Sequence, residues 1–555
     1  MSSHSRDLAS CASNSEISDE NINNNDDLEV DNSKCVLLKI ATLYAEQLMS
    51  DLILDVGGVA YPVHRLILCA SSEVFQVMLM NREWSECKKT RIVLQENPVA
   101  ASVFPQFLKY FYTGQIKISH KTVLPVLSLA DKYNISDLMT LCLEYMGQHV
   151  AQAAQRGQLI AWMQYTMACG HNKVAKACQN FFKWNLEWNW LDSELDELEG
   201  ETLAQLLQQN DLVVHNEMSV YKFVERWLNR QRESYNIPAG VERTPSDCTT
   251  NTSDSSDYSE VRMQWDALVS AAFSHVRFPM MCPNQLATLL LSPLTQQHKD
   301  FFMERMAVAM SYQSGQYERV WEVQQTAGGR ALFTPRLYTE DTWGSVLAVD
   351  NFHSLPCYHM RTFIFSTRPA LADIAHTDRM MEWTVDLYPK GVWFRKSMLI
   401  AWSGTYDVPE AVLRTVRIAI TCLSVTAPDP YRPEPDVRVK IGILVWGRQN
   451  GVAHISDVAV RVHRFSAQNR VLNIDDALDF DELNTPLYTP AQPASPGNKQ
   501  GRCLKCVENN ASTEPSHLMG PNKDQLRVQV VILPLTDYCY VSPAEVAAGS
   551  DRLGP

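Results

Sequence analysis

The apolar residues of this chain change their period partway along, and that change limits the architecture more than any other feature. Between 150 and 323 they recur every three or four positions, as Leu203, Leu206, Leu207, Val220, Tyr221, Val224, Trp227 and Leu228 do. Such spacing gives one-sided helix faces. The tryptophans Trp162, Trp184, Trp188 and Trp190 fall in the same region and read as core. After Gly328-Gly329 the period becomes two. Trp383, Val385 and Leu387 alternate into a Pro389-Lys390-Gly391 turn, and Val437 to Val445 and Leu526 to Ile532 alternate likewise. Strands without intervening helices predict an antiparallel β-sandwich over 326–545, folding as a unit of its own. Adjacent glycines occur only at 57-58 and 328-329, so a propeller of glycine-paired repeats is disfavoured.

Residues 35–149 mix both periods. Leu37, Ile40, Tyr44 and Leu48 share a helix face over 36–48. Two short strands follow between Asp51 and His64, joined by a Gly57-Gly58 hairpin turn. Helical spacing returns over 65–80, a strand covers 91–94, and helices run on to 149. The apolar face of 36–48 has too little in its own small domain to cover it, so burial against a second copy is expected. Half of the acidic excess sits in the first 31 residues of the N-terminal tail, residues 1–34: eight acids lie there against Arg6, in a chain of net charge −14. That tail and the stretches 236–261 and 484–524, rich in Ser, Thr, Asp, Asn or Pro, are expected to be disordered, the latter two as loops inserted into folded units.

The same composition excludes several functions. An acidic chain has no general attraction for nucleic acid. No apolar run reaches the roughly 18 residues that span a bilayer, so no membrane partner is expected. The N-terminus lacks a basic flank and an apolar segment, which points to a cytoplasmic or nuclear address. Fourteen scattered cysteines then read as reduced thiols, and the acceptor patterns at Asn134, Asn251 and Asn510 carry no weight. Walker, nucleophile-elbow, zincin and dinucleotide motifs are all missing, so the chain is not read as an enzyme and no cofactor is expected. Cys503 and Cys506 form a single C-x-x-C pair without further ligands, and no metal site is assigned.

The stretch Asp51-Leu52-Ile53-Leu54-Asp55-Val56, then Tyr61-Pro62-Val63-His64-Arg65-Leu66-Ile67-Leu68, then Ala70-Ser71-Ser72-Glu73-Val74-Phe75, resembles the BTB/POZ domain. The match to D-x-x-L-x-V, F/Y-x-x-H-K/R-x-x-L and A-x-S-x-x-F holds over 25 residues. Asp51, His64, Arg65 and Phe75 are its signature positions. His64 reads as structural, and Leu66, Leu68 and Phe75 as core. The run from Leu203 through Asn216-Glu217 to Trp227-Leu228, with His275-Val276-Arg277-Phe278-Pro279 later, resembles the BACK domain. Glu382-Trp383-Thr384-Val385-Asp386-Leu387-Tyr388-Pro389-Lys390-Gly391 resembles the strand and turn of TRAF/MATH-like sandwiches. The expected fold is therefore multidomain: an α/β BTB/POZ domain (35–149), an all-α BACK domain (150–323) and an antiparallel TRAF-like sandwich (326–545).

The resemblance implies protein binding. In BTB adaptors of cullin-3 ligases a φ-x-E motif precedes a strand; its apolar residue packs on the cullin and its Glu fixes a loop. Trp84-Ser85-Glu86 lies at that place here. The first helix of such domains makes the dimer, which assigns Leu37, Ile40, Tyr44 and Leu48 to self-association. The implied function is a dimeric cullin-3 substrate adaptor whose sandwich binds an unidentified client by edge-strand pairing. The alternative is a ligase-independent scaffold. The domain order is similar to a BTB/POZ group whose first two domains resemble those of galectin-3-binding protein, and extracellular members are expected there.

Overall fold

Gly57 and Gly58 both take the left-handed conformation, with φ of 60° and 82°. A two-residue hairpin that matches strand twist requires it, and glycine adopts it without strain. They join β1 (Leu52–Val56) to antiparallel β2 (Val59–Val63), and β3 (Arg91–Leu94) adds parallel to β1. The computed structural model describes residues 31–234, 255–368, 380–392, 413–425, 436–484 and 517–535. Most of the acidic tail, residues 235–254 and 485–516, and with them Asn251, Cys503, Cys506 and Asn510, lie outside the described residues. Of the stretches expected to lack structure, 255–261 belong to a helix and 517–524 to a strand and turn.

The chain divides into two compact units, residues 1–117 with 128–136 and residues 118–127 with 137–555. In the first unit α1 (Ser33–Ala45) precedes the sheet, and α2 (Arg65–Ser71), α3 (Glu73–Met80) and α4 (Pro98–Thr113) surround it. Ser72 breaks the helical run expected over 65–80 into α2 and α3. It is extended, and its hydroxyl caps α3 by accepting from the Phe75 amide at 3.1 Å. Phe75 is fully buried and stacks on Tyr133 with ring centroids 4.5 Å apart. Leu68 is buried, but Leu66 is 78% exposed and fills no core. Two positions from Leu68 along a helix is a turn of about 200°, which points the two side chains apart. The first helix also ends three residues sooner than its sequence spacing suggests. Gln47 and Met49 take φ of 53° and 60°, so Leu48 sits in a turn and not on the helix.

The second unit runs through α5 (Val123–Lys132, shared with the first), α6 (Ser136–Gln148), α7 (Val150–Gln155), α8 (Leu159–Ala168), α9 (Asn172–Trp184), α10 (Asp192–Glu197), α11 (Gly200–Gln208), β4 (Val213–Val214), α12 (Glu217–Ser234) and α13 (Ser255–Phe273). Further helices, the longest Lys299–Gln313, then lead to 332. Trp162, Trp184 and Trp190 are buried; Trp188 is half-buried against Phe181. The helical region thus contains one short strand, and that strand matters. β4 pairs in parallel with β5 (Leu337–Tyr338), the entry to the sandwich.

The sandwich has two antiparallel sheets. The first has the order β11 (Val452–Phe465), β10 (Val437–Gln449), β14 (Gln525–Pro534) and β13 (Leu518–Met519), with β6 (Gly344–Val349) also on β14. The second has the order β12 (Val471–Ile474), β9 (Arg417–Cys422), β8 (Met381–Tyr388) and β7 (Arg361–Thr367). Trp383, Val385, Ile418, Ile441, Ile443, Val528 and Val530 fill the space between them. The Trp383 indole donates to the Thr367 hydroxyl at 2.8 Å, which satisfies its one polar atom in the core. The three alternating runs read from the sequence are β8, β10 and β14.

The sandwich does not stand apart from the helices, contrary to the expectation of a unit of its own. At its entry Glu217, the first residue of α12, is fully buried with Arg336. The Arg336 Nε donates to both carboxylate oxygens at 3.2 Å, the Tyr338 hydroxyl donates to Oε2 at 2.9 Å, and the Arg277 amide donates to Oε1 at 2.8 Å. The Arg336 guanidinium also donates to the carbonyls of Leu207 and His275 at 2.8 and 2.7 Å. Lys440 of β10, also buried, donates to the carbonyls of Asn210 and Pro335, both at 2.7 Å. At the far end the β10–β11 turn docks on the α6–α7 break. The Gln449 side chain accepts from the Ala151 amide at 2.9 Å and donates to the Gly147 carbonyl at 3.2 Å; the Asn450 amide donates to the Gln148 carbonyl at 2.8 Å.

This junction makes stability depend on alkaline pH. Burial, and then the Arg277 and Arg336 charges, push the Lys440 ammonium down to about 7. Its unfolded value is about 10.4, so between neutrality and pH 10 the unfolded chain binds more protons, and stability rises with pH over that window. Lys440→Met is expected to remove that rise. Urea midpoints measured between pH 7 and 10 check it: equal slopes for the two proteins would show that Lys440 keeps its proton on folding.

Candidate partner-binding site

Trp84 stands on a ten-residue connection between α3 and β3 that the chain holds by main-chain and side-chain bonds. The Asn81 carbonyl accepts from the Trp84 amide at 3.1 Å, and its side chain accepts from the Glu83 amide at 3.0 Å. A 3₁₀ turn follows at Ser85–Lys88, with the Cys87 amide bonded to the Trp84 carbonyl and the Lys89 amide to the Glu86 carbonyl. Arg65 at the start of α2 secures the far side. Its guanidinium donates to the Cys87 carbonyl at 3.2 Å and to the Lys89 carbonyl.

Glu86 acts within this turn. Its Oε2 accepts from the Ser85 hydroxyl at 2.9 Å, and its Oε1 meets the Lys89 ammonium at 3.2 Å. The Ser85 hydroxyl, with Lys89 behind it, holds the Glu86 carboxyl below its usual range. Trp84 is 50% exposed, and Val74, Val77 and Met80 of the preceding α3 are exposed too. Their i, i+3, i+6 spacing puts them on one helix face, which is open to solvent. The sequence motif located Trp84 and Glu86; it did not reveal this stripe on α3, whose spacing could have been read as a second, outward face.

The signature residues serve the frame. Asp51 accepts from the Arg65 amide at 2.9 Å and so ties β1 to the start of α2. His64 is half-buried and bonds on both ring nitrogens, Nδ1 to the Tyr112 hydroxyl at 3.0 Å and Nε2 to the Leu48 carbonyl at 2.7 Å. The Tyr112 hydroxyl also accepts from the His64 amide, and burial pushes it up to about 12, so it keeps its proton to donate. His64 therefore anchors the turn after α1. The four residues assigned to self-association are not equivalent. Leu37 and Leu48 are exposed, as are Val36, Leu38 and Met49; Ile40 is half-buried, and Tyr44 stacks on Tyr112 of α4 at 4.7 Å. No α1 residue is fully buried.

Among the described residues no cluster of three or more His, Cys, Asp or Glu could hold a metal, and no helix is long and apolar enough to cross a membrane. Three family models match consecutive parts of the chain: the BTB/POZ domain over residues 41–150, the "BTB And C-terminal Kelch" domain over 159–238, and the BTBD17 TRAF domain over 333–536. The chain thus carries a BTB/POZ domain, a BACK domain and, in its sandwich, a BTBD17 TRAF domain. Among individual proteins it is similar to BTB/POZ domain-containing protein 17. The human protein is 27% identical over 372 residues, which cover 65% of this chain and 67% of that one. The Xenopus laevis protein is 24% identical over 335 residues, covering 59% and 61%. It is also similar to mouse galectin-3-binding protein, 21% identical over 66% of this chain and 58% of that one, and to Kelch-like protein 40 of Xenopus laevis, 26% identical over 33% and 29%. The match thus spans less than two thirds of the Xenopus relative. The three domains are interaction modules and belong to no enzymatic family.

Proposed function

We propose that this chain is a dimeric substrate adaptor of a cullin-3 ubiquitin ligase, with the BTB domain on the cullin and the TRAF domain on the client. The observation that carries the reading is the half-exposed Trp84, held out on a turn that Arg65 and Glu86 pin from two sides, just after a helix that exposes Val77 and Met80. An indole presented on a fixed turn is the kind of anchor that carries interface energy. Self-association rests on the exposed Val36, Leu37, Leu38 and Leu48 side chains. The client reading rests on β7 and β12, the outer strands of the four-stranded sheet among the described residues. An added strand would gain main-chain bonds there.

Trp84→Ala with Glu86→Ala is expected to abolish cullin-3 capture, since a buried interface tryptophan contributes on the order of 2 kcal/mol or more. The dimer, measured by light scattering, should persist. Equal capture by mutant and parent would show that the motif is misassigned. A ligase-independent scaffold outside the cell is the second reading, and the likeness to galectin-3-binding protein favours it. Secretion of the chain with glycan on Asn134 would select that reading.

A further inference from the structure

We infer that Ser85 is a phosphorylation site, and that its phosphate opens the Trp84–Lys89 turn. The inference deepens the cullin-adaptor reading by naming how the same surface would be switched, and it rests on that reading for its consequence, though not for its geometry. Three observations carry it.

The Ser85 side chain is exposed, and so are the four residues before it, from Asn81 to Trp84. A kinase groove can therefore take hold of this stretch. Arg82 lies three residues ahead of Ser85 and is itself exposed. A guanidinium at that offset is what a kinase with carboxylates along its peptide groove recognises, by charge-assisted bidentate hydrogen bonds. The hydroxyl also has a structural task that a phosphate cannot perform. It donates to Glu86 Oε2 at 2.9 Å and accepts from the Lys89 ammonium at 3.2 Å.

In the transfer the Ser85 oxygen attacks the γ-phosphorus of ATP. The new oxygen–phosphorus bond forms as the bond to the β-phosphate oxygen breaks, ADP leaves, and the hydroxyl proton passes to the kinase's general base. Ser85 then has no proton to give Glu86. A group of charge about −1.5 to −2 stands beside a carboxylate, and like-charge repulsion drives the two apart. Lys89 can serve only one of them well; the phosphate, with more charge and more oxygens, takes it. Glu86 loses both of its partners. The turn then keeps its Asn81 bonds, the Cys87 and Lys89 amide bonds and the Arg65 contacts, but loses the side-chain clasp that joined Ser85, Glu86 and Lys89. Trp84 is then less firmly held, and the net charge of 82–89, +1 from three cations and two acids, falls to about −1.

The test uses the full chain, ATP and a basophilic protein kinase. Peptide mapping should place phosphate on Ser85; Ser85→Ala should abolish that label, and Arg82→Ala should slow its incorporation. Hydrogen exchange of the Cys87 and Lys89 amides should accelerate about tenfold or more on phosphorylation, as expected for local opening. Cullin-3 affinity should fall about tenfold or more, because a phosphate is placed beside an apolar contact and must be desolvated. No label on Ser85, or label without faster exchange of those two amides, overturns the inference. Trp84→Ala separates the two claims. If that variant binds cullin-3 as the parent does, the docking assignment fails, and the switch stands or falls on the exchange data alone. If Trp84→Ala loses binding while the phosphorylated parent retains it, the assignment stands and the switch fails.

Discussion

Glu217→Ala is expected to destabilise the second unit by about 3–5 kcal/mol, the range for removing one member of a buried ion pair. Glu217 and Arg336 are both fully buried, so bulk solvent does not screen the charge left behind. Arg336 would keep its carbonyl acceptors but lose its counter-charge; the Tyr338 hydroxyl and the Arg277 amide would each lose an acceptor. Arg277 lies close enough to both Glu217 and Arg336 to add unopposed positive charge. Urea unfolding followed by far-ultraviolet circular dichroism and by tryptophan fluorescence measures the loss, and both probes should shift together. Glu217→Gln should lose less, since it keeps hydrogen-bonding capacity without the charge. A loss within about 0.5 kcal/mol, the size of an ordinary surface substitution, would sink the account.

The second large effect concerns the sandwich alone. A fragment of residues 333–535 is expected to show no cooperative melt, whereas 137–535 should melt in one transition. The five-stranded sheet is buried on both faces over part of its area. Leu444, Val531 and Leu533 point away from the inter-sheet core, yet all are fully buried. Leu337 packs against Gly442 so closely that a Cβ there would come within 2.7 Å of it. Leu337 stays in the short fragment, but removing the helices strips the cover that the residues before 333 supply. It also leaves Lys440 without the Asn210 carbonyl and β5 without β4. Each apolar side chain so exposed costs roughly 1.5–3 kcal/mol, and a domain has only about 5–15 kcal/mol to lose. A sharp, reversible melt of the short fragment would refute the dependence.

Much of the fold was legible because it rests on local pattern. The Gly57-Gly58 hairpin, the strand at 91–94 and the three alternating runs needed only neighbours along the chain. The entry node did not. Glu217 and Arg277 were visible as motif positions, but Arg336 lies 119 residues from Glu217, and nothing in the Pro335-Arg336 pair announces where it reaches. The two-sided burial of the sheet did leave a trace. Ile443-Leu444-Val445 and Val530-Val531-Ile532-Leu533 are continuous apolar runs, and reading them as simple alternation hid the second covered face. The Asn450-Gly451 pair likewise signals a tight hairpin, with φ of 50° and 89°. At the candidate site the sequence supplied the motif. The contribution of Arg65 stayed hidden because its partners are main-chain carbonyls 22 and 24 residues away.

The tip of that hairpin has a consequence for how the protein can vary. Gln449 and Asn450 meet Gly147, Gln148 and Ala151 through main-chain atoms of those three residues. Every amino acid offers the same carbonyl, and all but proline the same amide. Substitutions at 147, 148 and 151 that preserve the helix ends therefore leave this dock intact, while the two amide side chains opposite have few replacements. A single-residue insertion or deletion between 147 and 151 is another matter: it rotates the helix start by about 100° and carries the three atoms out of reach together. Drift in spelling is tolerated at this joint, and drift in length is not.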